Sequence, residues 1–128
     1  MKNQPAPQNF PRWFDPRNRH MGTWGFILNR ITAIGLTFYL FLHLIALSQL
    51  AQGAQAYDSF IALVKNPFFK LGEMLVIAAG LIHGLNGIRI GLNSFGIAVT
   101  IQKQLFIALM ILAAIGILFF GYRMFFVG

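Results

Sequence analysis

The chain has 128 residues, 57% of them hydrophobic and only 10% charged, where an ordinary soluble domain has about 25% charged residues. Ten Lys and Arg against three Asp and Glu leave a net charge of +7. The basic residues form no stripe, however, and the apolar content argues against a nucleic-acid partner. With no cysteine, the chain can hold no disulfide, no iron–sulfur cluster and no covalently attached c-type haem. The class this leaves is an all-α integral membrane protein.

Residues 1–23 carry prolines at positions 5, 7, 11 and 16 and arginines at 12, 17 and 19. No short apolar core is followed by a small-residue cleavage site, so this segment reads as a surface arm and not as a signal peptide. A membrane domain follows over 24–128. Its first apolar stretch covers 31–51, with an aromatic-rich approach at 24–28; the second covers 71–92. The third covers 105–121, with Tyr122, Phe125 and Phe126 as an interfacial belt. Each is near the roughly 20 residues that cross a bilayer, which sets the spans at about 24–51, 71–92 and 104–126. In hydrocarbon the backbone must satisfy its own hydrogen bonds, so each is a helix. Between the first two, residues 57–69 place Phe60, Ile61, Leu63 and Val64 ahead of Asn66-Pro67. That pattern predicts a short amphipathic helix at the opposite interface.

Charge sets the expected orientation. Lys2, Arg12, Arg17, Arg19 and Arg30 precede the first span, and Arg89 and Lys103 flank the second loop. Lys65, Lys70 and Arg123 are on the other side. The bias puts the N-terminus in the cytoplasm and the chain in the cytoplasmic (inner) membrane.

Ionisable groups inside spans are costly and mark function by default. His43 lies in the first span and His83 in the second. An interhelical hydrogen bond is the plain explanation for one such histidine. Around His83, however, Gly80, Gly84, Gly87 and Gly91 form two small-xxx-small patterns, which either pack helices closely or clear room for a flat ligand. A porphyrin with an axial imidazole is such a ligand. Arg89 is six residues on, roughly 9 Å along the helix, where a guanidinium suits a haem propionate. His43 is thirteen residues past Arg30, roughly 20 Å from that interface. If Arg30 and Arg89 share one level, the histidines differ in depth by roughly 10 Å and serve two haems. Their further axial ligands must then come from another chain. Asn29 and Arg30, with Trp24 and Phe26 nearby, read as a quinone head-group site at the inner face, although Trp24 alone is more simply an interfacial anchor.

Two motifs carry a family resemblance. Phe26-Ile-Leu-Asn-Arg-Ile-Thr-Ala-Ile-Gly35 with Leu40-Phe-Leu-His43, and Ile82-His83-Gly84-Leu85-Asn86-Gly87-Ile88-Arg89, resemble the succinate dehydrogenase cytochrome b subunits. The second matches the family's His-x-x-x-Gly-Ile-Arg pattern. The resemblance implies that His83 is an axial haem b ligand, that Arg89 lies beside the propionates and that Arg30 belongs to the quinone site. It also implies that His43 is the first-span histidine of the two-haem branch. Phe26, Asn29, Ile90 and Ser94 stand where the family often has serine, histidine, histidine and aspartate.

The same resemblance implies a non-catalytic anchor of succinate:quinone oxidoreductase, bundled with a second anchor subunit and sharing two b haems with it. Succinate chemistry would lie in a flavoprotein with FAD, and an iron–sulfur subunit would pass electrons to quinone. The alternatives are the anchor of a fumarate reductase or another quinone-linked dehydrogenase, and a haem-free structural anchor.

Overall fold

The computed structural model describes residues 8 and 20–127. Most of the 1–23 arm, including its prolines and arginines, lies outside the described residues. Helix α1 spans Met21–Ala51, α2 Ala54–Val64, α3 Pro67–Ser94 and α4 Gln102–Tyr122. A single 3-10 turn, Val99–Ile101, precedes α4, and a π-turn, Arg123–Val127, follows it. Among the described residues three segments are long and apolar enough to cross a membrane: Met21–Ala51, Pro67–Ser94 and Val99–Val127. The chain is an all-α, multi-pass membrane protein.

The expected spans are present and longer than their apolar cores. Helix α1 begins at Met21, inside the segment read as arm. The short helix between the first two spans also forms, but it starts at Ala54. Asn66-Pro67 does more than end it. Asn66 caps the next helix, its Oδ1 accepting from the backbone N–H of Phe68 and Phe69 at 2.9 and 3.2 Å, while Pro67 takes the first helical position. There its missing N–H costs nothing. Helix α3 stops in a Schellman arrangement: Gly96, at φ +75, donates to Asn93 O and Ile97 donates to Leu92 O. Glycine is required at that left-handed position.

Helix α3 is the centre of the assembly and packs on both α1 and α4. Its contact with α4 is close because two α4 glycines permit it. A Cβ on Gly116 would come within 2.9 Å of Leu81 Cδ1, and one on Gly121 within 3.0 Å of Met74 Cε. Lys70 Nζ also donates to the carbonyl of Met124, 3.4 Å away.

Little apolar surface is covered within the chain. Ile27, Phe106 and Ala113 are the buried hydrophobic residues among those described. The most apolar window of α1 is 6% buried, and those of the other two spans 11%. An isolated bundle in water could not tolerate this; in a bilayer the outward faces meet lipid or other helices. What is buried instead is polar: Thr32, Asn86 and Arg89. These define two clusters.

Candidate functional site

The first cluster lies at the end of the bundle where α1 starts and α3 finishes. Asn86 is fully buried and its Nδ2 donates to the carbonyl of Gly25. Its Oδ1 accepts from Arg89 Nε at 3.0 Å, one turn further along α3. Arg89 is 4% exposed and its guanidinium carbon sits 5.2 Å from the Phe106 ring centroid. Gly25 makes the arrangement possible, since a Cβ there would be 2.6 Å from Arg89 Nη2 and 3.2 Å from both Asn86 Oδ1 and Phe106 Cε2. The open side of Arg89 faces a cavity of about 450 Å³, whose walls include His20, Gln102 and Lys103. Among the described residues no carboxylate lines that cavity.

The second cluster joins α1 to α3 around His83. Its Nδ1 is 3.1 Å from the backbone carbonyl of Asn29 and 3.2 Å from Thr32 Oγ1. A carbonyl oxygen only accepts, so this contact assigns a proton to Nδ1. In that tautomer the lone pair is on Nε2, as a metal-ligating imidazole requires. Gly80 and Gly87 lie one turn either side of His83, and Gly84 follows it. At these three positions, and at Gly91, a Cβ would meet nothing within 4 Å. Among the described residues the glycine stripe is therefore not used for packing.

His43 is separate from both clusters. It is exposed, and Tyr39 stacks on it at 5.7 Å between centroids. Because His83 is level with Asn29 and Thr32, and Thr32 is eleven residues before His43 in one continuous helix, the two imidazoles differ in depth by about 17 Å at 1.5 Å per residue. That exceeds the spacing expected from sequence, for a simple reason. Arg89 pairs at the level of Gly25, five residues before Arg30, so the two arginines do not share a depth. A metal–imidazole bond is about 2 Å long, so His43 and His83 cannot bind one iron. Among the described residues no three His, Asp or Glu side chains converge on a metal position.

Of the residues expected to line a quinone site, Phe26, Asn29 and Arg30 fall within about 100° of one another around α1, whereas Trp24 is about 160° from Phe26. The Arg30 guanidinium lies 4.2 Å over the Phe26 ring. Phe26 and Trp24 are both 44% exposed. Asn29 Oδ1 is buried and has no hydrogen-bond partner among the described residues, so it can accept from a donor outside them.

Across 7–122 the chain matches the family described as succinate dehydrogenase/fumarate reductase transmembrane subunit. It belongs to that family.

Two relatives agree. One is the succinate dehydrogenase 2 membrane subunit SdhC of Mycobacterium tuberculosis, 36% identical over 74 residues, which are 58% of this chain and 54% of the relative. The other is the succinate dehydrogenase hydrophobic membrane anchor subunit of Halobacterium salinarum, 31% identical over 108 residues, 84% of this chain and 81% of the relative. The match thus spans about half of the mycobacterial subunit's length. The chain is a membrane-anchor subunit of the succinate dehydrogenase/fumarate reductase family.

Asn86, Gly25, Thr32 and Phe106 were not among the candidates from sequence. Asn86 was visible as an uncharged polar residue inside a span, which needs a partner. Gly25 carries no local signal, because its role is set by Arg89 of another helix.

Proposed function

We propose that this subunit binds haem b through His83, contributes His43 to a second haem, and forms part of a quinone site at Phe26, Asn29 and Arg30. The observation that carries the reading is the contact of His83 Nδ1 with the Asn29 carbonyl on α1, which assigns the proton to Nδ1 and leaves the Nε2 lone pair for a metal beside the open glycines. When bound, haem supplies one-electron transfer. The protein's contribution is geometric. Asn29 O and Thr32 orient the imidazole, while Gly80, Gly84 and Gly87 leave space beside it. Arg89 offers a carboxylate-binding cation at the inner end, suited to a propionate.

At the quinone site, Phe26 and Arg30 form a cationic aromatic wall and Asn29 Oδ1 accepts from a hydroxyl. Trp24 is outside this arc, and its role is to anchor α1 at the interface. The remaining axial ligands come from a second anchor subunit, and the uncovered faces of α1 and α3 are where it packs. Succinate is oxidised elsewhere, on a flavoprotein carrying FAD, and electrons arrive through an iron–sulfur subunit. The assembly sits in the cytoplasmic membrane with the N-terminus of this chain inside.

Reduced-minus-oxidised spectra of the purified complex test this. Low-spin b bands are expected, with His83→Ala removing one component and His43→Ala the other. Loss of the same component in both variants refutes the two-haem arrangement. Full retention in both shows that neither histidine ligates a haem, and absence of b bands from the parent complex shows a structural anchor without haem.

A further inference from the structure

Thr32 is one of three buried polar side chains among the described residues, at 8% exposure. Its hydroxyl points back along α1, 2.7 Å from the carbonyl of Leu28 and 3.1 Å from that of Asn29. A threonine hydroxyl has one proton and two lone pairs. With the proton directed to the shorter contact at Leu28, Oγ1 faces His83 Nδ1 as an acceptor at 3.2 Å. The Asn29 carbonyl approaches the same Nδ1 at 3.1 Å. One N–H is thus shared between two acceptors on the same helical turn, and one of the two is itself locked by the backbone.

We propose that Thr32 is a positioning residue for the iron-ligating imidazole: with the Asn29 carbonyl it fixes the rotation and tautomer of His83 and sets how strongly Nε2 donates. This rests on the reading of His83 as a haem ligand. Hydrogen bonding at the remote nitrogen raises the basicity of a metal-bound imidazole. A more basic ligand favours the ferric over the ferrous state, so the hydroxyl holds the reduction potential down. The Asn29 carbonyl belongs to the backbone and survives side-chain changes; the hydroxyl can be deleted alone.

Thr32→Val and Thr32→Ser in the whole complex separate the effects. The valine has nearly the same shape without the hydroxyl, and the serine restores it. Thr32→Val is expected to retain low-spin haem, titrate at a more positive potential and release haem to an acceptor apoprotein about 10-fold faster, the usual scale for losing an outer-shell partner. Thr32→Ser is expected to match the parent. Identical potentials and release rates in Thr32→Val and the parent overturn the proposal while leaving haem at His83 intact. Unaltered haem content in His83→Ala overturns the underlying assignment instead.

If Thr32→Val does not assemble, Thr32→Ala removes the same hydroxyl and takes its place. A more positive potential and faster haem release than in Thr32→Ser support the proposal, and equal values in the two variants reject it.

Discussion

Arg89 Nε and Asn86 Oδ1, 3.0 Å apart one turn from each other on α3, form a buried pair with no carboxylate in it. The charge is held by an amide, an aromatic face and the edge of a cavity. Asn86 is the centre, because its other end reaches across to Gly25 on α1.

Replacing Asn86 with leucine therefore removes two hydrogen bonds and leaves a buried cation without its acceptor. The expected cost is about 1–3 kcal/mol, typical of an unsatisfied buried group. Thermal or denaturant unfolding of the purified complex measures it, and an unchanged midpoint contradicts it.

Gly25→Ala pushes a methyl group against Arg89 Nη2 and the Phe106 ring. Overpacking of this kind costs about 1–3 kcal/mol. Gly22→Ala is the control, since nothing lies within 4 Å of a Cβ there, and it should stay within about 0.5 kcal/mol of the parent.

Gly84→Leu gives the opposite pairing of outcomes. The position is open within the chain, so three-helix packing should survive and the protein should still insert. If a flat ligand uses the glycine stripe, haem b content falls sharply. A full haem complement in this variant would show that no haem lies on the stripe, leaving it to lipid or a partner helix.

Asn29→Ala removes the orphaned Oδ1 but keeps the backbone carbonyl that holds His83. Quinone reductase assays should show a raised apparent KM for quinone, about 10-fold for a lost hydrogen bond of 1.4 kcal/mol. Haem spectra should not change. A simultaneous spectral shift would mean that the side chain also supports the imidazole.

The three spans were legible in the sequence because apolar runs of bilayer length admit one regular structure. The His83 neighbourhood was legible too, through an ionisable group set among glycines. Helix ends were less so. Pro67 reads as a terminator until Asn66 is seen to cap the helix that Pro67 starts. The depth of Arg89 was misjudged for a physical reason: flanking charges report the interface only when they point to water, and this guanidinium points into the bundle. Thr32 had no signal of its own, since a threonine within a span usually just bonds to its own helix. Its second role depends on which residue of α3 passes it.

The polar ties between α1 and α3, Gly25 to Asn86 and Asn29 with Thr32 to His83, all fall in the first half of α1. Beyond them, Phe38 and Phe41 are 65% and 63% exposed and Leu44 and Ile45 53% and 59%. The described polar clamps on α1 therefore sit at the level of His83, whereas around His43 the helix is held by its junction with α2 and by whatever lipid or helix covers its exposed side chains.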